Sequence, residues 1–452
     1  MGARARAFVL RALVAATLAA ALLPPATPVH AATFTVSTTV DFPDDNPGDG
    51  RCAGVAILPG FPPTIVGGCS LRAAIMEANA LTAANPSVET TINLPVGTYK
   101  LTRAGRGEDA ALTGDLDVTG KVKIVGADAN NAIVDGNFID RVFQVRAGGS
   151  LNLSGLKIQN GLTDSAASEF GGGILNQGTL TMNAVIMGGN TAIGGGNIAN
   201  SVGSVLTVTE SIIASSTATG SGFGGGGINN GGTMTLTNVT VNGNVNDGIR
   251  TSSGAAPAAL TNVTISGNSG FGILSNGQTT LVNVTITGNS GNGIQNIAAA
   301  GSVKLVNTMV ANSGLNNCRN AMSSQGHNLS SDATCPFSAP GDLVNRDPKL
   351  GPLQNNGGFT FTHALLAGSP AIDAGDNNAC PTPDQRGVPR PQDGDGNGSA
   401  ICDIGAFELA NVGVFSLSPT DATVAVGDTA PCAWASAASS SRRTTTRTSR
   451  AG

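Results

Sequence analysis

The chain has 452 residues, of which 12% are charged and 4% aromatic, against 63 glycines. About half the usual share of charge excludes a helix-rich protein, which would carry far more Glu, Lys and Leu. A net charge of −5 with no basic stripe gives nucleic-acid binding no support.

Arg4, Arg6 and Arg11 precede an apolar run from Ala12 to Leu23, then prolines and Val29-His-Ala31. A charged start, an apolar middle and a small-residue end predict a signal peptide over 1–31, with the mature chain beginning at Ala32. The run is too short to span a bilayer comfortably, and no later stretch is long and apolar enough to cross one.

Residues 32–120 read as an N-terminal cap. Within them, Cys69-Ser-Leu-Arg-Ala-Ala-Ile-Met-Glu-Ala-Asn79 is the convincing helix. Ser70 can cap it, while Leu71, Ala74, Ile75 and Ala78 share a face. Arg72 and Glu77 are expected to be solvated or paired rather than catalytic. Thr91-Ile-Asn-Leu94 and Tyr99-Lys-Leu-Thr102 follow as first strands. Asp115, Asp117, Asp128, Asp135, Asp140, Lys121, Lys123 and Arg141 make the densest charged patch. They are expected on the polar faces and corners of early coils.

From 121 to 317 the chain repeats one phrase. Its clearest copies are Leu236-Thr-Asn-Val-Thr-Val-Asn-Gly-Asn244, Leu260-Thr-Asn-Val-Thr-Ile-Ser-Gly-Asn268 and Leu281-Val-Asn-Val-Thr-Ile-Thr-Gly-Asn289. Looser copies begin at Leu153, Met182, Val208 and Leu305, spaced by 21 to 29 positions. Such a period suits one coil of a solenoid. Apolar residues alternate as a half-buried strand requires, but the alternation slips by one between Leu236 and Val239. Asn238 sits at the slip, as do Asn262, Asn283 and Asn307 in the other late copies. Asn tolerates left-handed backbone, so these four are the predicted corner ladder. The Gly-Asn pairs make a second corner, and a third strand begins at each Gly-Ile element: Ile174, Ile228, Ile249, Ile273 and Ile294. Three strands and their corners per period predict an all-β, right-handed, single-stranded parallel β-helix. A propeller needs four-stranded units of about 40 residues or more. The Asn-x-Thr triplets at Asn238, Asn262 and Asn283 are better explained as buried corners than as glycosylation sites.

A stack of strands exposes unpaired edges at both ends. The helix is the predicted lid at one end, and residues 318–410 are the predicted C-terminal cap. Cysteines fall outside the repeats in neighbouring pairs: Cys52 with Cys69, Cys318 with Cys335, and Cys380 with Cys402. Sequence alone does not fix their connectivity, but short bridged loops suit an oxidising compartment. In Asp393-Gly-Asp-Gly-Asn-Gly398, oxygen side chains alternate with glycine, as in calcium-wrapping loops. Asp393, Asp395, Asn397 and the later Asp403 are the candidate ligands of a structural calcium; a metal-free Asp-Gly turn accounts for the same residues equally. Residues 411–452 open like an immunoglobulin-type module at Phe415 and then become Ala/Ser-rich and basic, which reads as a truncated or frame-shifted end.

The segment from Cys69 to Asn79 resembles the CSLREA motif of exported bacterial proteins, with Ala73 standing where that motif has Glu. Ala32-Thr-Phe-Thr-Val36 and Gly48-Asp-Gly-Arg-Cys52 are similar to the start of that family. His327-Asn-Leu-Ser-Ser, Asn355-Asn-Gly-Gly358, Gly368-Ser-Pro-Ala-Ile-Asp-Ala-Gly375, Asp384-Gln-Arg-Gly387 and Cys402-Asp-Ile-Gly-Ala-Phe-Glu408 resemble a choice-of-anchor Q region. Together these cover about residues 32 to 409. They imply an exported or surface-attached β-helix protein without a settled catalytic mechanism.

Chemistry on a β-helix that acts on acidic polysaccharides needs clustered carboxylates, often with calcium, and a base on one face. From Gly171 to Asn317 the charged residues are Glu210, Asp247, Arg250 and Lys304, which do not recur in phase. The sequence therefore predicts a non-enzymatic adhesion, glycan-contacting or stalk protein whose partners are cell-surface glycans or envelope polymers. A polysaccharide lyase or glycoside hydrolase of the same fold, and a structural surface-layer component, are the alternatives.

Overall fold

The slip in the repeat is a corner. In the strand Thr233–Asn242, Met234, Leu236, Val239 and Val241 are all fully buried, although the step from Leu236 to Val239 is odd. The parity is restored by one left-handed residue, Asn238, at φ 57°. Asn262, Asn283 and Asn307 occupy the same position in later coils at φ 52°, 50° and 49°. In earlier coils the register puts Gly155, Ala184 and Glu210 there, with φ 64°, 52° and 45°. The corner is thus a backbone requirement, and Asn meets it with the least steric cost among residues carrying a polar side chain.

The computed structural model describes residues 32–58, 64–163, 169–220, 224–299 and 301–410; the predicted leader and the segment 411–452 lie outside these described residues. Strands on either side of the corner stack in parallel into one 20-stranded sheet, and the third strand of each coil builds a nine-stranded parallel sheet. The latter runs from Leu116–Val118 to Cys318–Arg319 and includes the strands that begin at Ile174, Ile198, Ile228, Ile249, Ile273 and Ile294. Each of those isoleucines is fully buried and lies in one continuous apolar core with Leu236, Leu260, Leu281 and Leu305. Glycine precedes all of these but Ile198, which follows Asn197, and it is there for close approach: a Cβ on Gly272 would lie 2.6 Å from the Gly293 carbonyl oxygen of the next coil.

The Gly-Asn corner carries a polar ladder. Asn244 donates from Nδ2 to Asn268 Oδ1 at 2.9 Å, and Asn268 donates in the same way to Asn289 at 2.9 Å. A further ladder links Asn176, Asn200 and Asn230 at 2.7 Å per step. These amides are buried and satisfy backbone groups that a coil corner leaves without a strand partner.

The N-terminal lid is the helix Leu71–Ala84 (α1), capped by Ser70, whose side chain accepts from the Ala73 N–H. Asn79 closes the first edge of the nine-stranded sheet: its Nδ2 donates to the Asp117 carbonyl, and its Oδ1 accepts from the N–H groups of Thr119 and Gly120. At the other end, residues 318–345 complete a last coil, with Ser323–Ser324, Leu329–Ser330 and Leu343–Val344 on the stack. The remainder of the C-terminal cap runs along the flank of the late coils. Leu365, Ala371, Ile404 and Phe407 pack there on outward-facing Met309 and Ala311, and on Leu329. Disulfides join Cys52 to Cys69, Cys318 to Cys335 and Cys380 to Cys402.

Candidate functional site

Among the described residues, three places gather charged side chains in networks, and two of them serve the caps. At the N-terminal lid, the Arg72 guanidinium is fully buried and pairs with Asp41, with Nε 2.6 Å from Oδ1. It also donates to the carbonyls of Ala111, Gly114 and Asp115. Glu77 is buried too and accepts from the N–H groups of Gly48 and Gly50. Both residues are paired rather than solvated. They pin the segments before and after α1, and neither reaches open space.

The charged patch of the early coils divides: Lys121 is exposed and Lys123 and Asp128 are half-buried, whereas the remaining acids and Arg141 lie inside. Asp115, Asp117, Asp140 and Arg141 are each at most 6% exposed. Burial pushes the Asp115 carboxyl well above its ordinary range, with Arg141 pulling it back, and pushes Asp117 up to about 7. Asp115 Oδ2 stands 2.7 Å from Arg141 Nε, yet the two are not aligned as a hydrogen bond and neither atom has another hydrogen-bond partner. A carboxyl poised near neutrality suits general acid chemistry. Asp117 is fully buried, however, and its Oδ2 accepts the Ala111 N–H, so a polymer has no path to it.

The cap on the flank holds the third group. The corner asparagines are its anchor points. Asn262 donates to the Pro383 carbonyl, Asn283 to those of Asp403 and Gly405, and Asn307 to that of Asp376. The corner amides also bond along the stack, Asn262 to Asn238 and Asn307 to Asn283, each at 3.2 Å. Thr240, Thr264 and Thr285, on the solvent side of the repeat, are nearly or fully buried because the cap covers them. Thr264 donates to Gln385, and Thr285 accepts the Ala406 N–H.

Of the four residues expected around calcium, Asp393 and Asp395 converge with Asp373, their carboxylate oxygens lying within 4.8 Å of one another. Asp403 is outside that cluster: it is buried and accepts the Asp373 and Leu409 N–H groups. Asn397 spends its Oδ1 on the Ser399 N–H and its Nδ2 on Asp395. Asp393 already accepts backbone N–H groups from Gly396, Asn397 and Gly398, as metal-free Asp turns do. The arrangement offers a cation three carboxylates, one of them from the Pro-Ala-Ile-Asp stretch that sequence spacing did not connect to the loop. Burial pushes the Asp373 carboxyl upward, which a cation at this position would reverse.

In fold the chain is similar to solved β-helix enzymes. The crystal structure of pectate lyase Pel9A matches with a TM-score of 0.52 at 15% identity, covering 84% of this chain and 97% of that one. The A-modules of the Azotobacter vinelandii mannuronan C-5 epimerases AlgE4 and AlgE6 match 61% of this chain, with TM-scores of 0.32 and 0.29 at 15% and 14% identity and 93% and 91% of their own lengths covered. No family model matches the chain, and no curated protein is significantly similar to it. The architecture is accordingly a pectate-lyase-like parallel β-helix with a helical lid and a disulfide-stapled cap.

Proposed function

We propose that this chain is an exported, surface-associated β-helix protein of the CSLREA and choice-of-anchor Q kind, which contacts glycans or envelope polymers without cleaving them. The carrying observation is where its charge goes. Among the described residues, Arg72, Glu77, Arg390 and Glu408 are buried in pairs and networks that fasten the lid and the cap. The open side of the coils, by contrast, presents Asn152, Thr181, Thr207, Thr235, Ala259, Thr280, Lys304 and Ser323 in one register column, six of the eight carrying a hydroxyl or an amide. Stacked at about 4.8 Å per coil, such hydroxyl and amide groups suit a long polar polymer lying along the axis. Three disulfides fit an oxidising compartment. Among the described residues no helix is long and apolar enough to cross a membrane.

The fold likeness to a pectate lyase supports the rival reading, a polysaccharide lyase or glycoside hydrolase. A glycan array probed with the purified protein, with and without calcium, tests the proposal. Retention on a defined glycan class is expected; retention on none overturns it.

A further inference from the structure

We infer that the outward side of the nine-stranded sheet carries a binding site for an anionic polysaccharide, centred on a depression floored by Leu175, Ala199 and Asn229, with Arg250 one coil beyond. The inference rests on the glycan-contact reading above and gives it a place and a charge.

The sheet register lines up one outward residue per coil: Leu175, Ala199, Asn229, Arg250, Leu274, Gln295 and Arg319. Along this column a depression of about 280 Å³ opens where Phe170 and Val202 rise beside Leu175, Ala199 and Asn229. Val202 is 80% exposed, so the rim is apolar and accessible. Asn229 supplies the second observation. Its Oδ1 has no hydrogen-bond partner although it is buried from solvent, an arrangement that costs free energy unless a donor arrives. Asn229 lines the depression and is half-buried as a residue, so a turn of its amide brings Oδ1 to a sugar hydroxyl, and the C–H face of a sugar ring is what an apolar rim of this size can cover.

The charge of the ligand follows from the next positions. Arg250 lies one coil beyond Asn229, about 4.8 Å along the axis, and Arg319 three coils further, roughly 14 Å. Among the described residues no carboxylate is within ion-pair distance of either guanidinium, and the column carries no acid from Leu175 to Arg319. Asp247, which feels the Arg250 charge, is 5% exposed, is driven toward its neutral form by burial against that pull, and is spent on the Phe271 N–H. Two guanidiniums outside any ion pair, in line with an apolar-rimmed depression, complement carboxylates repeated along a chain, that is, a uronate polymer. The flank of the late coils, by contrast, is covered by the cap.

Isothermal titration of the full protein with an oligogalacturonate, and with a neutral oligoglucan as control, tests the site. Saturable binding of the uronate that weakens with salt is expected, with the neutral sugar at least tenfold weaker. Arg250→Gln, a solvent-side substitution, and Asn229→Leu should each weaken uronate binding by about tenfold or more, with the melting temperature of Arg250→Gln unchanged. Uronate binding of unaltered affinity in both variants overturns this site and leaves the broader glycan reading standing. Equal affinity for the neutral sugar overturns the anionic assignment, and binding of neither overturns both the site and that assignment.

Discussion

Arg390 and Glu408 form an ion pair with both side chains fully buried, Nε 3.1 Å from Oε2, between the cap and the coils it covers. The pair is close but not aligned as a hydrogen bond, and the guanidinium instead donates to Asn262 Oδ1 at 3.2 Å and the Gly405 carbonyl at 2.8 Å. Glu408 in turn accepts the N–H groups of Gln392 and Asp403. One arginine thereby joins a corner of the stack to two segments of the cap.

Removing it should loosen the cap before the coils. Arg390→Ala leaves the Glu408 carboxylate buried without its cation, a loss of about 3–5 kcal/mol by analogy with other buried pairs. The expected result is faster hydrogen exchange over residues 350–409 with coil protection retained. Uniform protection across both would show that the pair does not fasten the cap.

Asn268 is the test of the corner ladder. Its Oδ1 accepts both the backbone N–H and the Nδ2 of Asn244, and its Nδ2 donates to Asn289 and to the Val241 carbonyl. Asn268→Ala strands several buried groups at once, each worth about 1–3 kcal/mol. Denaturant titration should show a loss of about 3 kcal/mol or more; a loss within about 0.5 kcal/mol would mean the ladder contributes little.

The pH dependence follows from the carboxyls that burial raises. Asp403 is pushed up to about 7 by desolvation and then by neighbouring Glu408, Asp117 to about 7, and Asp44 to about 6. A folded value above the unfolded one means that the native state holds the proton more tightly. Their contribution is therefore full below about pH 4 and is lost as pH rises through about 7. The melting temperature should be higher at pH 5 than at pH 8, by roughly a few degrees, and Asp403→Asn should flatten that slope. A melting temperature that climbs from pH 5 to pH 8 contradicts the assignment.

Calcium should act on the cap through Asp373, Asp393 and Asp395. Titration with calcium is expected to release heat and raise the melting temperature. Asp373→Asn should abolish both effects, whereas Asn397→Ala should leave calcium binding largely intact. No heat and no thermal shift with the unaltered protein would identify the loop as a metal-free turn.

What the sequence makes legible is what each coil repeats within itself. The alternation of Leu236 and Val239 across an odd step, with Asn238 between, is a local signal and locates a corner without knowledge of any neighbour. The helix after Cys69 is local in the same sense, since Ser70 and Leu71, Ala74, Ile75 and Ala78 carry both its cap and its buried face. Lateral docking is not local. Thr240 and Thr264 look solvent-facing in the repeat, but their partners Phe361 and Gln385 are each 121 positions away. Asp115 and Asp117 likewise look like surface charge, because nothing near them in sequence reveals that Arg141 and the turn around Ala111 enclose them. Asp373 was missed for the same reason: it lies 20 residues before Asp393, and only the folded cap, with Asp373 at φ 53° accepting the Gly394 and Asp395 N–H groups, brings it in.

The most direct test of a surface that binds polymer without cutting it is to incubate the purified protein with polygalacturonate and with alginate, with and without calcium. Co-sedimentation and product size are then followed in the same tubes. The account predicts retained polymer of unchanged chain length and no unsaturated or reducing ends. Shortened chains accumulating in proportion to protein and time would contradict it and make the β-helix an enzyme.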